Sequence, residues 1–247
     1  MIQDSPMLDS FDPQFDSAHR RHPDPLPASG REEGISGKIV RPLAIALSLS
    51  IAISIAALLI VGQTIGLFFA GIVIATTLLP PLSLSSPRFA DRLLMAAAVI
   101  DGVAVVWLVP VVLSGSSITT VQWLMCYLLL ISWGIMLFGA AQLLSKLSND
   151  PIPAAAVVVA LAMAWLTCPI WLPAGAEKIV TFHPLFALNG VLKHLGMWTE
   201  RPIAYRYLFA LGQDVSYELP RSIWPCAGAH LLVGLSALGL GRIIGRK

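Results

Sequence analysis

What most constrains this chain is a relay of apolar runs, each close to the roughly 20 helical residues needed to cross a hydrocarbon core of about 30 Å. The runs fall near 42–61, 64–80, 93–113, 120–143, 153–173 and 225–243, and one polar stretch, 174–224, separates the last two. With 56% hydrophobic and only 12% charged residues, against about 25% charged in a typical soluble domain, the chain carries far more apolar surface than a soluble core of its length needs. The expected fold is all-α: a polytopic membrane bundle of six transmembrane helices, with a structured loop between helices 5 and 6. Breakers set the boundaries: Gly62-Gln63, Pro80-Pro81, Asn149-Asp150-Pro151, and Pro173 and Pro225 around the long loop.

Basic residues orient the bundle. Lys38, Arg41, Arg88, Arg92, Lys146, Arg242, Arg246 and Lys247 all fall on one side of a six-span layout, whereas the opposite short loops, at Gly62-Gln63 and Ser114–Thr119, carry no charge. The positive-inside rule then places both termini in the cytoplasm and 174–224 outside a plasma (inner) membrane. Residues 1–38 mix Asp4, Asp9, Asp12, Asp16 and Asp24 with Pro6, Pro13, Pro23, Pro25 and Pro27, and read as a disordered cytoplasmic tail. The first apolar run starts too far from the N-terminus for a cleavable signal and is expected to stay as an anchor. A net charge of +2 from dispersed residues offers no concentrated basic face, which sets nucleic acid aside as a partner.

From Leu43 to Ala56 large and small residues alternate, a period that in isolation argues for a strand. No polar lumen-facing set accompanies it, so a barrel wall does not fit. In a helix the same alternation repeats every four residues. Ala46, Ser50 and Ser54 then form one small-residue ridge and Ala44, Ser48, Ala52 and Ala56 another, both of the kind that lets helix backbones approach closely. Gly66 and Ala70 continue the theme in span two, and Ala237, Gly241 and Gly245 in span six. Packing within the bundle is one use for such ridges; a homodimer seam is the other.

Two intramembrane polar residues are candidates for coupling or function. Asp101 lies some eight residues into span three, about 12 Å from the cytoplasmic edge. An ionised carboxylate there costs at least about 2.5–3.5 kcal/mol, so it must be neutral, paired or wet. Proton or cation coupling would use that property, and a hydrogen bond to Ser or Thr of a neighbouring helix would equally satisfy it. His230 sits roughly 7 Å inside the outer boundary, about 11 Å from Asp101 in depth, too far for direct pairing. With one histidine in a span, no bis-histidine haem fits. His183 and His194 stand too far apart along a helix to share a metal, so neither metal nor cofactor is expected.

The long loop carries the other candidates. Pro184 suits the first turn of a helix, Leu185, Leu188, Leu192 and Leu195 repeat at helical spacing, and Gly196 suits its end. That helix is expected on the outer membrane face or folded back on the bundle, with Asn189 and Lys193 turned to water. His183, Asn189, Lys193, Tyr205, Arg206 and Asp214 are the candidate recognition residues; aromatic anchoring and local salt bridges account for the same aromatic and charged residues. Cys126, Cys168 and Cys226 lack zinc or redox spacing. Cys168 and Cys226 both approach the outer face, where a disulfide would close the loop, while free packing thiols are the default.

No G-x-x-x-x-G-K-[ST], H-E-x-x-H or G-x-S-x-G occurs, so the sequence holds no recognisable catalytic or nucleotide-binding motif. Six spans, a short cytoplasmic link at 81–92, and an outer segment opening on His183-Pro184-Leu185-Phe186, with His where an Asn-Pro-Leu or Asn-Pro-Phe motif has Asn, resemble the membrane subunit of an ABC-2-type exporter. The resemblance implies that 81–92 contacts a separate ATPase subunit and that 182–224 forms re-entrant or surface helices along an exit path. The alternative is a non-catalytic integral subunit that scaffolds a larger complex through its helices and outer loop.

Overall fold

The structure, a computed structural model, describes residues 33–61, 64–113, 118–171, 178–193 and 219–245. These form α1 (Glu33–Val61), α2 (Thr64–Leu84), α3 (Phe89–Leu113), α4 (Thr120–Ser148), α5 (Pro151–Trp171), a 3₁₀ turn (Val180–Phe182), α6 (Pro184–Val191) and α7 (Trp224–Ile244), with no strand among them. Six of the helices, α1–α5 and α7, are long and apolar enough to cross a membrane. The chain is a multi-spanning helical membrane protein whose outer surface contacts the bilayer.

The helix ends follow local chemistry. Thr119 and Gln122 form a reciprocal capping box at the start of α4. Asn149, at φ 55°, closes α4 in the left-handed conformation that asparagine tolerates better than most residues. One residue later the Asp150 carboxylate accepts the amide of Ile152 at 2.9 Å, and Pro151 opens α5 where a missing N–H costs nothing.

Several boundaries differ from the hydropathy pattern. Helix α1 already runs at Glu33, inside the stretch read as a tail; residues 1–32 lie outside the described residues. Helix α2 passes through Pro80-Pro81 to Leu84. So near a C-terminus the two prolines remove only the bonds to the Thr76 and Thr77 carbonyls. The Ser83 and Ser85 hydroxyls then cap Pro80 and Leu82 at 3.1 and 2.7 Å. Helix α3 begins at Phe89, four residues before the apolar run, because its first turn satisfies its own charges: Asp91 accepts from Ser86 at 3.1 Å. Arg92 Nε donates to the Ser86 carbonyl and its Nη1 to Gln142 Oε1 of α4, both at 2.6 Å.

Helices α2 and α4 form the centre, with α3 and α5 packed against both, α1 against α2 and α3, and α7 along α4. Buried indoles stitch the centre together. Trp107 stacks on Phe68 at 4.6 Å and donates to the Leu67 carbonyl, and Trp133 donates to Thr76 Oγ1 at 2.9 Å. Each thus buries a large apolar ring without orphaning its N–H.

Small residues set the closest crossings. Of the two ridges on α1, Ala46, Ser50 and Ser54 are buried, with Ser50 packed on Gly102 of α3; Ala44, Ser48, Ala52 and Ala56 point away from the bundle. Helix α7 presses on α4 through Gly234, where an added Cβ would sit 2.6 Å from the Ile135 carbonyl oxygen, and Gly139 meets the Gly234 backbone from the other side. Ala237 and Gly241 of α7 are buried, Gly241 against Leu143.

The bundle has two chemically distinct ends. Arg88, Arg92, Lys146 and Arg242 gather at one, where Arg242 lies over the Phe89 ring at 5.9 Å and Phe89 meets Phe138. At the other end α6 folds back between α2, α4 and α7, and Gln122 Nε2 holds its C-terminal carbonyl, Val191 O, at 3.1 Å.

Candidate functional site

Twelve residues from either end of α3, about 18 Å along its axis, Asp101 occupies the helix midpoint, deeper than the apolar run alone places it. Its side chain points to the outer surface of the bundle, not into it. Tyr127 of α4 donates its hydroxyl to Asp101 Oδ1 at 2.7 Å, so the partner is a phenol rather than the Ser or Thr expected from sequence. The phenol is held in turn: Tyr127 stacks on Trp123 at 5.3 Å with an interplanar angle of 15°, and Trp123 Nε1 donates to the Ala104 carbonyl of α3 at 3.4 Å. Around Asp101 the exposed stripe of α3 is apolar: Leu94, Ala97, Val105 and Val112.

The second polar cluster is buried beside α6. Pro169 has no N–H, so the Trp165 carbonyl of α5 loses its i+4 partner. His183 Nε2 fills that vacancy at 3.1 Å, its ring packed between Trp165 and Phe186. A donating Nε2–H leaves Nδ1 as the acceptor, buried and without a partner. Burial pushes the His183 pKa down to about 4, so the ring is neutral at physiological pH. Nearby, Cys226 Sγ donates to the Phe182 carbonyl at 3.1 Å and lies 3.9 Å from the ring nitrogens of His230. His230 is buried with its ring against Trp133 at 5.0 Å.

These placements change the roles read from sequence. Asn189 does not face water: it is fully buried in α6 and both amide atoms lack a partner. The reason is that α6 packs between α2, α4 and α7, with Gly190 against the Pro220 backbone, and Asn189 lies on the covered side. His183 is likewise an interior hydrogen-bond donor and presents nothing outward. Lys193 is exposed; Tyr205, Arg206 and Asp214 lie outside the described residues. Asp101 and His230 are not brought together. The structure instead groups His183, Cys226 and His230 around Phe182, a contact spanning more than 40 residues of sequence that no local spacing announces.

Cys126, Cys168 and Cys226 are free thiols. Among the described residues no three His, Cys, Asp or Glu side chains are placed to hold a metal ion. Comparison with protein-family models, curated proteins and solved structures returns nothing that matches the chain.

Proposed function

We propose that the chain is a non-catalytic integral subunit that assembles a larger membrane complex. The observation that carries this is Asp101: a carboxyl group at mid-helix, on the outward surface, with one hydrogen bond from Tyr127 and an apolar stripe around it. Left against lipid tails, such a group costs at least about 2.5–3.5 kcal/mol when ionised, and a packed partner helix removes that cost. The thinly packed α1 points the same way. Only 17% of its apolar window is buried, against 56% for α2, and its unused small-residue ridge faces outward.

A permease-like subunit working with a separate ATPase is the second reading. The re-entrant α6 and the short link after α2, pinned by Arg92, support it, since both are features the ABC-2 resemblance implies. In either case the basic end faces the cytoplasm of a plasma (inner) membrane with both termini inside, by the positive-inside rule.

Purification of the tagged chain from its native membrane in mild detergent, followed by mass spectrometry, tests both. Stoichiometric non-ATPase membrane proteins that crosslink to α3 or α4 support the assembly subunit. A stoichiometric P-loop ATPase that crosslinks to 85–92 replaces it with the permease, and a chain that runs alone overturns both.

A further inference from the structure

We infer that the α3–α4 face receives a transmembrane helix of a different protein carrying a Lys or Arg at mid-depth, held by Asp101 with Tyr127 beside it. This rests on the assembly reading and adds the chemistry of the partner. Tyr127 occupies Oδ1 at 2.7 Å, and Asp101 makes no further hydrogen bond, so Oδ2 is an open acceptor on the outer surface. A carboxylate in hydrocarbon is best completed by a charged donor, which forms a shorter and stronger bond than a neutral one. The site is also preorganised, because Trp123 fixes the Tyr127 ring by stacking and is itself anchored to the Ala104 carbonyl. Ala97, one turn from Asp101, leaves room for a close helix approach, and Leu94, Val105 and Val112 offer apolar contact above and below.

The described residues of a second copy of this chain do not supply the required group. Among the described residues of its spanning helices, Lys38, Arg41, Arg92, Lys146 and Arg242 all lie near the basic end, far from mid-depth. His230 is buried against Trp133 and cannot reach a neighbour. Two-fold pairing through this face would set acceptor against acceptor.

The test uses the full chain in phosphatidylcholine vesicles with synthetic Leu/Ala-rich transmembrane peptides bearing a central Lys, Leu or Asp, read by energy transfer between labels. The Lys peptide should associate about tenfold more tightly than the Leu peptide. Asp101→Asn should remove that preference, Tyr127→Phe should weaken it, and Asp101→Lys should transfer it to the Asp peptide. Equal association of the Lys and Leu peptides, or a preference that survives Asp101→Asn, overturns the inference. So does self-association of the chain that Asp101→Asn abolishes, which would make a second copy the occupant. Complex size in native membranes separates the two levels: a complex that persists in Asp101→Asn, with no Lys preference in vesicles, overturns this inference and leaves the assembly reading standing, whereas a lone chain overturns that reading.

Discussion

His183 Nε2 stands 3.1 Å from the Trp165 carbonyl oxygen, supplying the hydrogen bond that Pro169, four residues further along α5, cannot give. A proline in a spanning helix and a histidine at the start of α6 are thereby coupled, and the coupling requires a neutral, correctly oriented ring. Protonation would add a charge at a buried Nδ1 that has no hydrogen-bond partner, near His230 and Cys226. Because the folded pKa lies at about 4, below the ordinary 6.5, the unfolded chain binds the extra proton first as the pH falls. The contribution of this ring to stability should therefore be full above pH 6.5, fall between 6.5 and 4 by roughly 3 kcal/mol, and level off below. Thermal unfolding in detergent across that range measures it, and His183→Asn should reduce the slope. A wild-type profile flat from pH 7 to 4 would contradict the buried neutral ring.

Glycines of α7 divide sharply by what surrounds them. Gly234 packs against the Ile135 and Met136 backbone of α4, whereas Gly228 and Gly239 have nothing within 4 Å of an added Cβ. Gly234→Ala should push the two backbones apart and cost about 1–3 kcal/mol. Gly228→Ala and Gly239→Ala should be neutral or stabilising by up to about 1 kcal/mol, the helix-propensity gain. Unfolding temperatures of the three variants decide it; equal effects would mean that the α4–α7 crossing is looser than the backbone contact requires.

The two ridges of α1 give a similar contrast. Ser50 is buried on Gly102, so Ser50→Leu should displace α1 from α3 and destabilise the bundle by about 1–3 kcal/mol. Ser48 faces outward, and Ser48→Leu should leave the unfolding temperature of the purified chain unchanged. Loss of stability in the Ser48 variant would place that ridge in a contact within the chain.

Much of this was legible in sequence because hydrocarbon imposes long, uninterrupted helices and close crossings impose small residues. The apolar runs marked all six spans, Asn149-Asp150-Pro151 marked the turn between α4 and α5, and Pro184 marked the first turn of α6. Local patterns failed where satisfaction comes from a distant element. Nothing near Asp101 points to a phenol 26 residues away on α4. Asn189 looked solvent-facing on a helical wheel, which shows the faces of α6 but cannot show that α2, α4 and α7 cover the one that carries Asn189. Helix α3 starts before its apolar run because Gln142, 50 residues on, neutralises the isolation of Arg92.

Arg92 therefore ties the segment between α2 and α3 to the body of the bundle, with one bond to the Ser86 carbonyl and one to Gln142. Its planar guanidinium satisfies both acceptors from fixed directions, which the single ammonium of Lys does not reproduce. Arg92→Lys should keep the charge yet loosen residues 85–88, and Arg92→Ala should loosen them further while leaving the Gln142 oxygen buried and unbonded, a cost of about 1–3 kcal/mol. Limited proteolysis after Arg88, which is exposed, measures that loosening: cleavage should accelerate in the order wild type, Arg92→Lys, Arg92→Ala. Gln142→Leu separates the two anchors, because it removes the contact to α4 and leaves the Ser86 bond intact. Cleavage in Gln142→Leu as fast as in Arg92→Ala would assign the restraint to α4; cleavage at the wild-type rate would assign it to the Ser86 carbonyl alone.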